Sequence, residues 1–237
     1  MIRKTEAIVL NARKFGDSSL IASMYTRAFG RQNYLIKGYR SSRAKKKYGY
    51  FQPMSIIDIV FYYKETRDLQ LITETSNRYF YRTMQTQPVR ITLGMVVVEI
   101  FHQAVKEEEP NDPLFLFLQR VLVVMDQQEG RLIHLFLHYL VHLTRYLGFF
   151  PRNEAKNEHQ PVYFNLRDGI LQHSPGTRDT DRLIARLCDS TLESSLDLRF
   201  GNAEKNEMIN TLLQYYLLHV EGFRIPESLK VLQEVFR

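Results

Sequence analysis

With 237 residues, 44% of them hydrophobic and 24% charged, the chain can build one large core or two ordinary ones. That composition excludes disordered, collagen-like and fibrous classes. The single cysteine, Cys188, rules out an intrachain disulfide, and no basic-apolar-small signal segment opens the sequence at Met1-Ile2-Arg3-Lys4, so a reducing cytoplasm is expected. The most apolar stretch, Ile91 to Val105, is too short for a bilayer span and is broken by Glu99 and His102, so no membrane partner is expected.

Residues 1–80 carry short β-rich runs between turn residues, the signature of an all-β unit. Five strands are predicted, at Thr5 to Asn11, Leu20 to Thr26, Gln32 to Lys37, Ile56 to Tyr63 and Leu69 to Glu74. Breaks fall at Gly16-Asp17-Ser18, Phe29-Gly30, Gly38 to Pro53 and Lys64 to Asp68. Five strands with one long central connection suit a small OB-like barrel. From about Asn77 the apolar spacing becomes helical. Asp112-Pro113 reads as a cap followed by proline at the first helical position, giving a helix over Leu114 to Gln128 that ends at Gly130. The next, Arg131 to Leu147, stops at Gly148 with Pro151 behind it. Further helices are expected over Arg178 to Cys188, Ala203 to Glu221 and Pro226 to Phe236, with an irregular insert over 151–176 that carries a strand-like Val162-Tyr163-Phe164. The fold class is therefore α+β and multidomain: a barrel over 1–80, then an α-helical domain over 81–237.

Charge follows the same division. Residues 1–80 hold 15 Lys/Arg against 6 Asp/Glu, a net of +9, and the rest hold 17 against 20, a net of −3. That asymmetry points to a polyanion-binding N-terminal domain joined to a near-neutral one with another task. Ser18 to Ile57 contains no acidic residue, yet holds Arg27, Arg31, Lys37, Arg40, Arg43, Lys45, Lys46 and Lys47. Tyr25, Tyr34, Tyr39, Tyr48, Tyr50 and Phe51 are interleaved with these cations. Aromatic faces beside phosphate-pairing cations hold single strands without sequence preference. Tyr34, on a predicted strand, is expected to pack into the barrel, whereas Tyr39 and Tyr48 belong to the charged loop. Nothing here matches a helix shaped for the major groove.

Several landmarks bear on kinship. Lys37-Gly38-Tyr39-Arg40 followed by Gly49-Tyr50-Phe51-Gln52-Pro53 resembles motifs of the RecO family of DNA repair proteins. So do Thr5 to Leu10, Phe15 to Leu20, Tyr25-Thr26 before Gly30, Leu147-Gly148-Phe149, and Glu221 to Pro226 with Ser228-Leu229. The resemblance spans nearly the whole chain in order. It implies an N-terminal OB-fold, a C-terminal helical domain and no enzymatic chemistry. It further implies binding of single- and double-stranded DNA, annealing of complementary strands, and contact with single-stranded-DNA-binding protein. Members work with RecR, and in some lineages RecF, to load RecA, in the bacterial cytoplasm and at the nucleoid during repair. Lys37, Arg40 and Arg43 match the family's motif positions best. Many relatives carry four zinc-ribbon cysteines after the Leu-Gly-aromatic marker. Here Pro151 to Gly176 has none, only His159 and His173, so no zinc and no other cofactor is expected.

Other residues invite chemistry less well. His134, His138 and His142 share a helix face, but the third lies about 12 Å from the first at 1.5 Å per residue, too far for one ion. Glu107-Glu108-Glu109 reads as a solvated helix end, and Cys188 as a buried small side chain. No Gly-x-x-x-x-Gly-Lys-[Ser/Thr] phosphate loop occurs. His138, His142, Arg145 and Tyr146 are candidates for docking the acidic, phenylalanine-ended tail of single-stranded-DNA-binding protein. Competing readings are an OB-type RNA-binding protein and a recruiting scaffold that binds nucleic acid incidentally.

Overall fold

The computed structural model describes residues 1–38, 49–155, 160–174 and 179–229. Five strands, β1 (Ile2–Phe15), β2 (Ser19–Thr26), β3 (Gly30–Lys37), β4 (Ile56–Tyr62) and β5 (Leu69–Asn77), close a barrel in the order β1-β2-β3-β5-β4. All neighbours are antiparallel except β3 and β5, whose parallel pairing joins Asn33 to Leu69 and Leu35 to Leu71. This is the five-stranded OB-fold barrel expected from the sequence. Ala7, Val9, Leu20, Ala22, Met24, Ile57, Ile59 and Phe61 point inward at alternate positions to fill it. Tyr34 lies fully buried among them, its ring 5.1 Å from Phe61 and edge-on to it.

Two connections of the barrel are closed by side chains. At the β2–β3 turn, Thr26 Oγ1 donates to the Gly30 carbonyl at 2.9 Å and accepts from the Phe29 amide at 3.2 Å. Gly30 has φ +60, and a Cβ there would strike the carbonyl oxygens of Glu108 and Glu109. In the β4–β5 connection, buried Gln70 donates to the carbonyls of Lys64 and Arg67 at 2.8 and 2.6 Å and accepts from the Lys64 amide at 3.0 Å.

Three helices follow: α1 (Pro88–Ala104), which holds the most apolar stretch of the sequence, α2 (Asp112–Gln127) and α3 (Leu132–Tyr146). Compactness does not follow the change from strands to helices near residue 80. Met1–Gln127 and the segment beginning at Pro226 form one unit, and Gln128–Ile225 the other. In the first, α1 and α2 cover the outer face of the barrel, where Tyr25 meets Phe101 at 4.9 Å and Phe115 at 6.4 Å. Glu99 accepts from the Glu227 amide at 3.2 Å and from Ser228 Oγ at 2.6 Å, tying the returning chain to α1. Among the described residues no helix is long and apolar enough to cross a membrane.

The cap of α2 differs from the expectation. Asn111, not Asp112, accepts from the Leu114 amide through Oδ1 at 3.0 Å. One residue earlier in the chain, Asn111 reaches the free first-turn amides, and Asp112 is left for another partner.

In the second unit, α3 is the central helix, and Tyr216 Oη donates to the Leu140 carbonyl at 2.8 Å. It ends as expected: Gly148 takes φ +83, and the Phe149 amide returns to the Thr144 carbonyl at 3.1 Å. The insert is not irregular. It forms a sheet in the order β6-β8-β7 from β6 (Arg152–Asn153), β7 (Val162–Asn165) and β8 (Ile170–His173). Val162, Phe164 and Leu171 supply its buried face, an apolar set too small to stand out from a polar stretch of sequence. Two helices, α4 (Asp179–Cys188) and α5 (Asn202–His219), complete the unit. Cys188 is buried as expected, and burial pushes its thiol up to about 12. Helices α2 to α5 end within two residues of their expected bounds. Of the last expected helix, Pro226 to Phe236, residues beyond 229 lie outside those described.

Asp126 anchors the segment between barrel and α1. It is 2% exposed and accepts from the amides of Arg82, Thr83 and Met84 at 3.0, 2.8 and 2.7 Å and from Tyr79 Oη at 3.0 Å. Burial alone would raise its pKa, but these four donors outweigh it and hold the carboxyl below its usual range. Its stabilisation is therefore complete above the unfolded carboxyl value and is lost as pH falls through the lower folded value. Asp126→Ala is expected to cost roughly 3 kcal/mol in thermal or urea unfolding at neutral pH, because it strands buried amides. The difference from wild type should narrow in acid.

Candidate nucleic-acid interface

A bulge determines what the barrel presents. Strand β1 pairs Val9 with Met24 and then Asn11 with Ser23, so Leu10 is an extra residue and the in–out phase of the strand inverts beyond it. As a result Asn11, Arg13 and Phe15 turn outward. Three rows then cross β1, β2 and β3 on one outer face: Asn11–Ser23–Asn33, Arg13–Ile21–Leu35 and Phe15–Ser19–Lys37. Phe15 is 53% exposed, with Arg13 and Lys37 exposed beside it. An aromatic flanked by cations on the strand 2–3 face of an OB barrel is an arrangement suited to oligonucleotides. Sequence reasoning missed Arg13 and Phe15, because unbroken alternation from the inward Ala7 and Val9 points both inward.

The fold also supplies acids that the basic window lacks. Arg27 pairs with Glu6 at 3.1 Å and with Asp112, so its cation ties the β2–β3 turn to β1 and to the start of α2. Arg78 extends the network to Glu6 at 2.9 Å and Asp58 at 3.5 Å. Arg31 is half-buried and donates to the carbonyls of His102 and Val105 at 2.9 and 2.8 Å, where the negative end of α1 receives it. Burial lowers the pKa of Arg31, with Glu108 opposing. A count along the sequence cannot see partners 71 to 85 residues away. Of the expected cations, Lys37 is the one that the described structure leaves exposed without an ion pair.

The aromatics divide likewise. Tyr25, Tyr34 and Phe51 are core, and Tyr50 packs against the barrel cluster. Tyr39, Arg40, Arg43, Lys45, Lys46, Lys47 and Tyr48 lie outside the described residues. The run Glu107–Glu109 follows the end of α1 rather than forming part of it. Its side chains are exposed, while its backbone packs on Gly30.

Two family models match the chain, Recombination protein O N terminal over residues 1–80 and Recombination protein O C terminal over 85–159. Proteins named DNA repair protein RecO are similar along its whole length. The one from Christiangramia forsetii is 34% identical, with all of both chains covered. Those from Flavobacterium johnsoniae and Flavobacterium psychrophilum are 32% and 29% identical, with 98% of each chain covered. The chain belongs to the RecO family.

The helical residues expected to dock a peptide tail occupy one stretch of α3. His138 Nδ1 lies 3.3 Å from Ser190 Oγ, His142 Nε2 lies 3.0 Å from the Leu187 carbonyl, and the two rings stack at 3.9 Å. Arg145 is exposed and sits 4.1 Å over the ring of Phe150, and Tyr146 is half-buried. His134 instead approaches the Leu198 carbonyl at 3.1 Å and stacks on Phe200. The three histidines thus meet three different partners. Among the described residues no group of three or more His, Cys, Asp or Glu side chains is placed to hold a metal ion. His173 faces the Pro161 carbonyl, and His159 lies outside the described residues.

The split between framework and surface cations has a measurable consequence. Arg31→Ala is expected to cost about 2 kcal/mol by leaving two carbonyls short of a charged donor. That lowers the melting temperature by roughly 4–8 °C in a chain of this size. Lys37→Ala should leave stability within about 0.5 kcal/mol of wild type.

Proposed function

We propose that this chain is a non-enzymatic recombination mediator that grips DNA backbones through the outer β1–β2–β3 face and the basic loop from Lys37 to Phe51. The observation that carries the reading is the alignment of Phe15, Arg13 and Lys37 on one exposed face, at the point where β3 enters that loop. Lys37, Tyr39, Arg40, Arg43, Lys45, Lys46, Lys47 and Tyr48 make the contacts, joined by Arg13 and Phe15. Arg27 and Arg31 hold the base of the surface in shape.

Phosphate pairing by lysine and arginine releases counterions and is indifferent to sequence. It screens the repulsion between two strands and leaves base edges free, which is what annealing of complementary strands requires. The same contacts serve single- and double-stranded DNA. On this reading the chain works in the bacterial cytoplasm, at the nucleoid during repair. With RecR, and in some lineages RecF, it loads RecA onto DNA coated by single-stranded-DNA-binding protein. The acidic tail of that coat protein docks at Arg145 and Phe150, with His138, His142 and Tyr146 as neighbours. The exposed guanidinium over an aromatic ring, a cation beside an apolar face, supports this choice.

Strand annealing on DNA coated with its binding protein is the deciding experiment, run beside RNA of the same sequence. Annealing of coated DNA is expected, and a protein that binds RNA but neither anneals DNA nor touches the coat contradicts the mediator reading. Joint neutralisation of Arg40, Arg43 and Lys45 to Lys47 is expected to abolish most single-strand binding. It should also flatten the salt dependence by about 0.7 log unit for each phosphate that is no longer paired. Phe15→Ala should weaken binding roughly tenfold with the salt slope kept, since stacking rather than charge is removed. Arg145→Glu should abolish binding of the tail peptide and leave naked DNA binding intact, and unchanged peptide affinity removes this docking site.

A further inference from the structure

The outer face of β3 leads into a cleft of about 570 Å3, a size typical of small-ligand sites. Its walls come from β3, the β4–β5 connection held by Gln70, and the end of α1 with the residues after it. Its charges balance: Arg31, Arg67 and Lys106 stand against Glu65, Asp68 and Glu108. A bare phosphate gains little in such a field. A neutral ligand with polar edges is better matched, since it brings no charge to desolvate.

The uncharged groups of the cleft suit that ligand. Tyr63 is half-buried and backed by Phe29 at 5.2 Å and Phe61 at 6.2 Å, so its ring is a fixed aromatic wall. Asn33 presents an exposed carboxamide, donor and acceptor together, with no hydrogen-bond partner among the described residues. Burial first, and then the Arg31 cation, push the His102 imidazole down to about 4, so the ring is uncharged at neutral pH. Asn33 also belongs to the outer face, in the row with Asn11 and Ser23. Four residues of strand, roughly 13 Å, separate it from Lys37.

We propose that this cleft receives one unstacked nucleobase of a strand lying along β3, packed on Tyr63 and hydrogen-bonded by the Asn33 carboxamide. The inference rests on the single-strand-binding reading above. It adds a place where a base rather than a phosphate is held. Because a carboxamide both donates and accepts, it pairs with the edge of any base, so the cleft fixes the position of the strand without selecting sequence.

The test uses the full chain with deoxyadenosine and thymidine, which lack phosphate, and with inorganic phosphate. Side-chain amide and imidazole signals of Asn33 and His102 are followed by NMR. Both nucleosides are expected to shift these signals and phosphate to leave them in place. Asn33→Ala and Tyr63→Ala should each weaken the nucleoside response about tenfold. Tyr63→Phe should retain it. Asn33→Ala changes an exposed side chain and carries the test if Tyr63→Ala fails to fold. A response to phosphate alone, or a nucleoside response unaltered in Asn33→Ala, overturns the proposal. Oligonucleotide binding by the same wild-type sample separates the two readings. Strand binding without any nucleoside response rejects the cleft alone, whereas absence of strand binding rejects the reading on which it rests.

Discussion

The barrel depends on one strand that serves two neighbours. β1 pairs with β4 along its first half and with β2 along its second, overlapping at Ala7 and Ile8, and this sharing closes the sheet. Just beyond the overlap, the extra residue at Leu10 bends the 14-residue strand and strengthens its twist. The same inversion that accommodates curvature turns Arg13 and Phe15 onto the surface beside Lys37. The strand that closes the barrel thus also carries, beyond its bulge, the aromatic-cationic face.

The second organising feature is where the arginines go. Arg27 and Arg31, which in sequence belong to an acid-free window, are drawn to carboxylates and to helix carbonyls and become part of the framework. Arg suits such positions because its planar fork satisfies two acceptors at once. Lysine, a compact charge on a flexible stem, is left on the surface at Lys37. On the proposed reading, such a surface keeps its flexible charge where a DNA backbone meets it and uses its rigid ones for shape. The helices α1 and α2 complete the shape by covering Tyr25, so the outer face is apolar and closed at one end and polar and open at the other.

Much of this was legible in the sequence, where the physics is local. The five strands, the helices from α2 to α5 and the glycine stop after α3 follow from alternation, period and turn chemistry, and the ordered landmarks pointed to the family that the comparisons show. What escaped has tertiary causes. The Leu10 bulge leaves no glycine or proline to mark it. The acids that engage Arg27 come from Glu6 and from Asp112, which the sequence assigns to a helix cap. Asn111 takes that capping role instead, and the two departures are one fact seen from both ends. Among its described residues the three-stranded insert buries three strand side chains, Val162, Phe164 and Leu171, too few to announce strands, and the grouping of α1 and α2 with the barrel depends on contacts of Tyr25 that no periodicity encodes.

On this account DNA lies on the outer face made by the far half of β1, by β2 and by β3, and on the loop that follows. The most direct measurement is a residue-level footprint of a bound oligothymidylate on the full chain, by amide hydrogen exchange or NMR shift mapping. The expected footprint covers Arg13 to Phe15, Ile21, Asn33 to Lys37 and the loop to Phe51. A footprint confined to Gln128–Ile225, or to the ion-pair network around Arg27 and Arg78, contradicts the account.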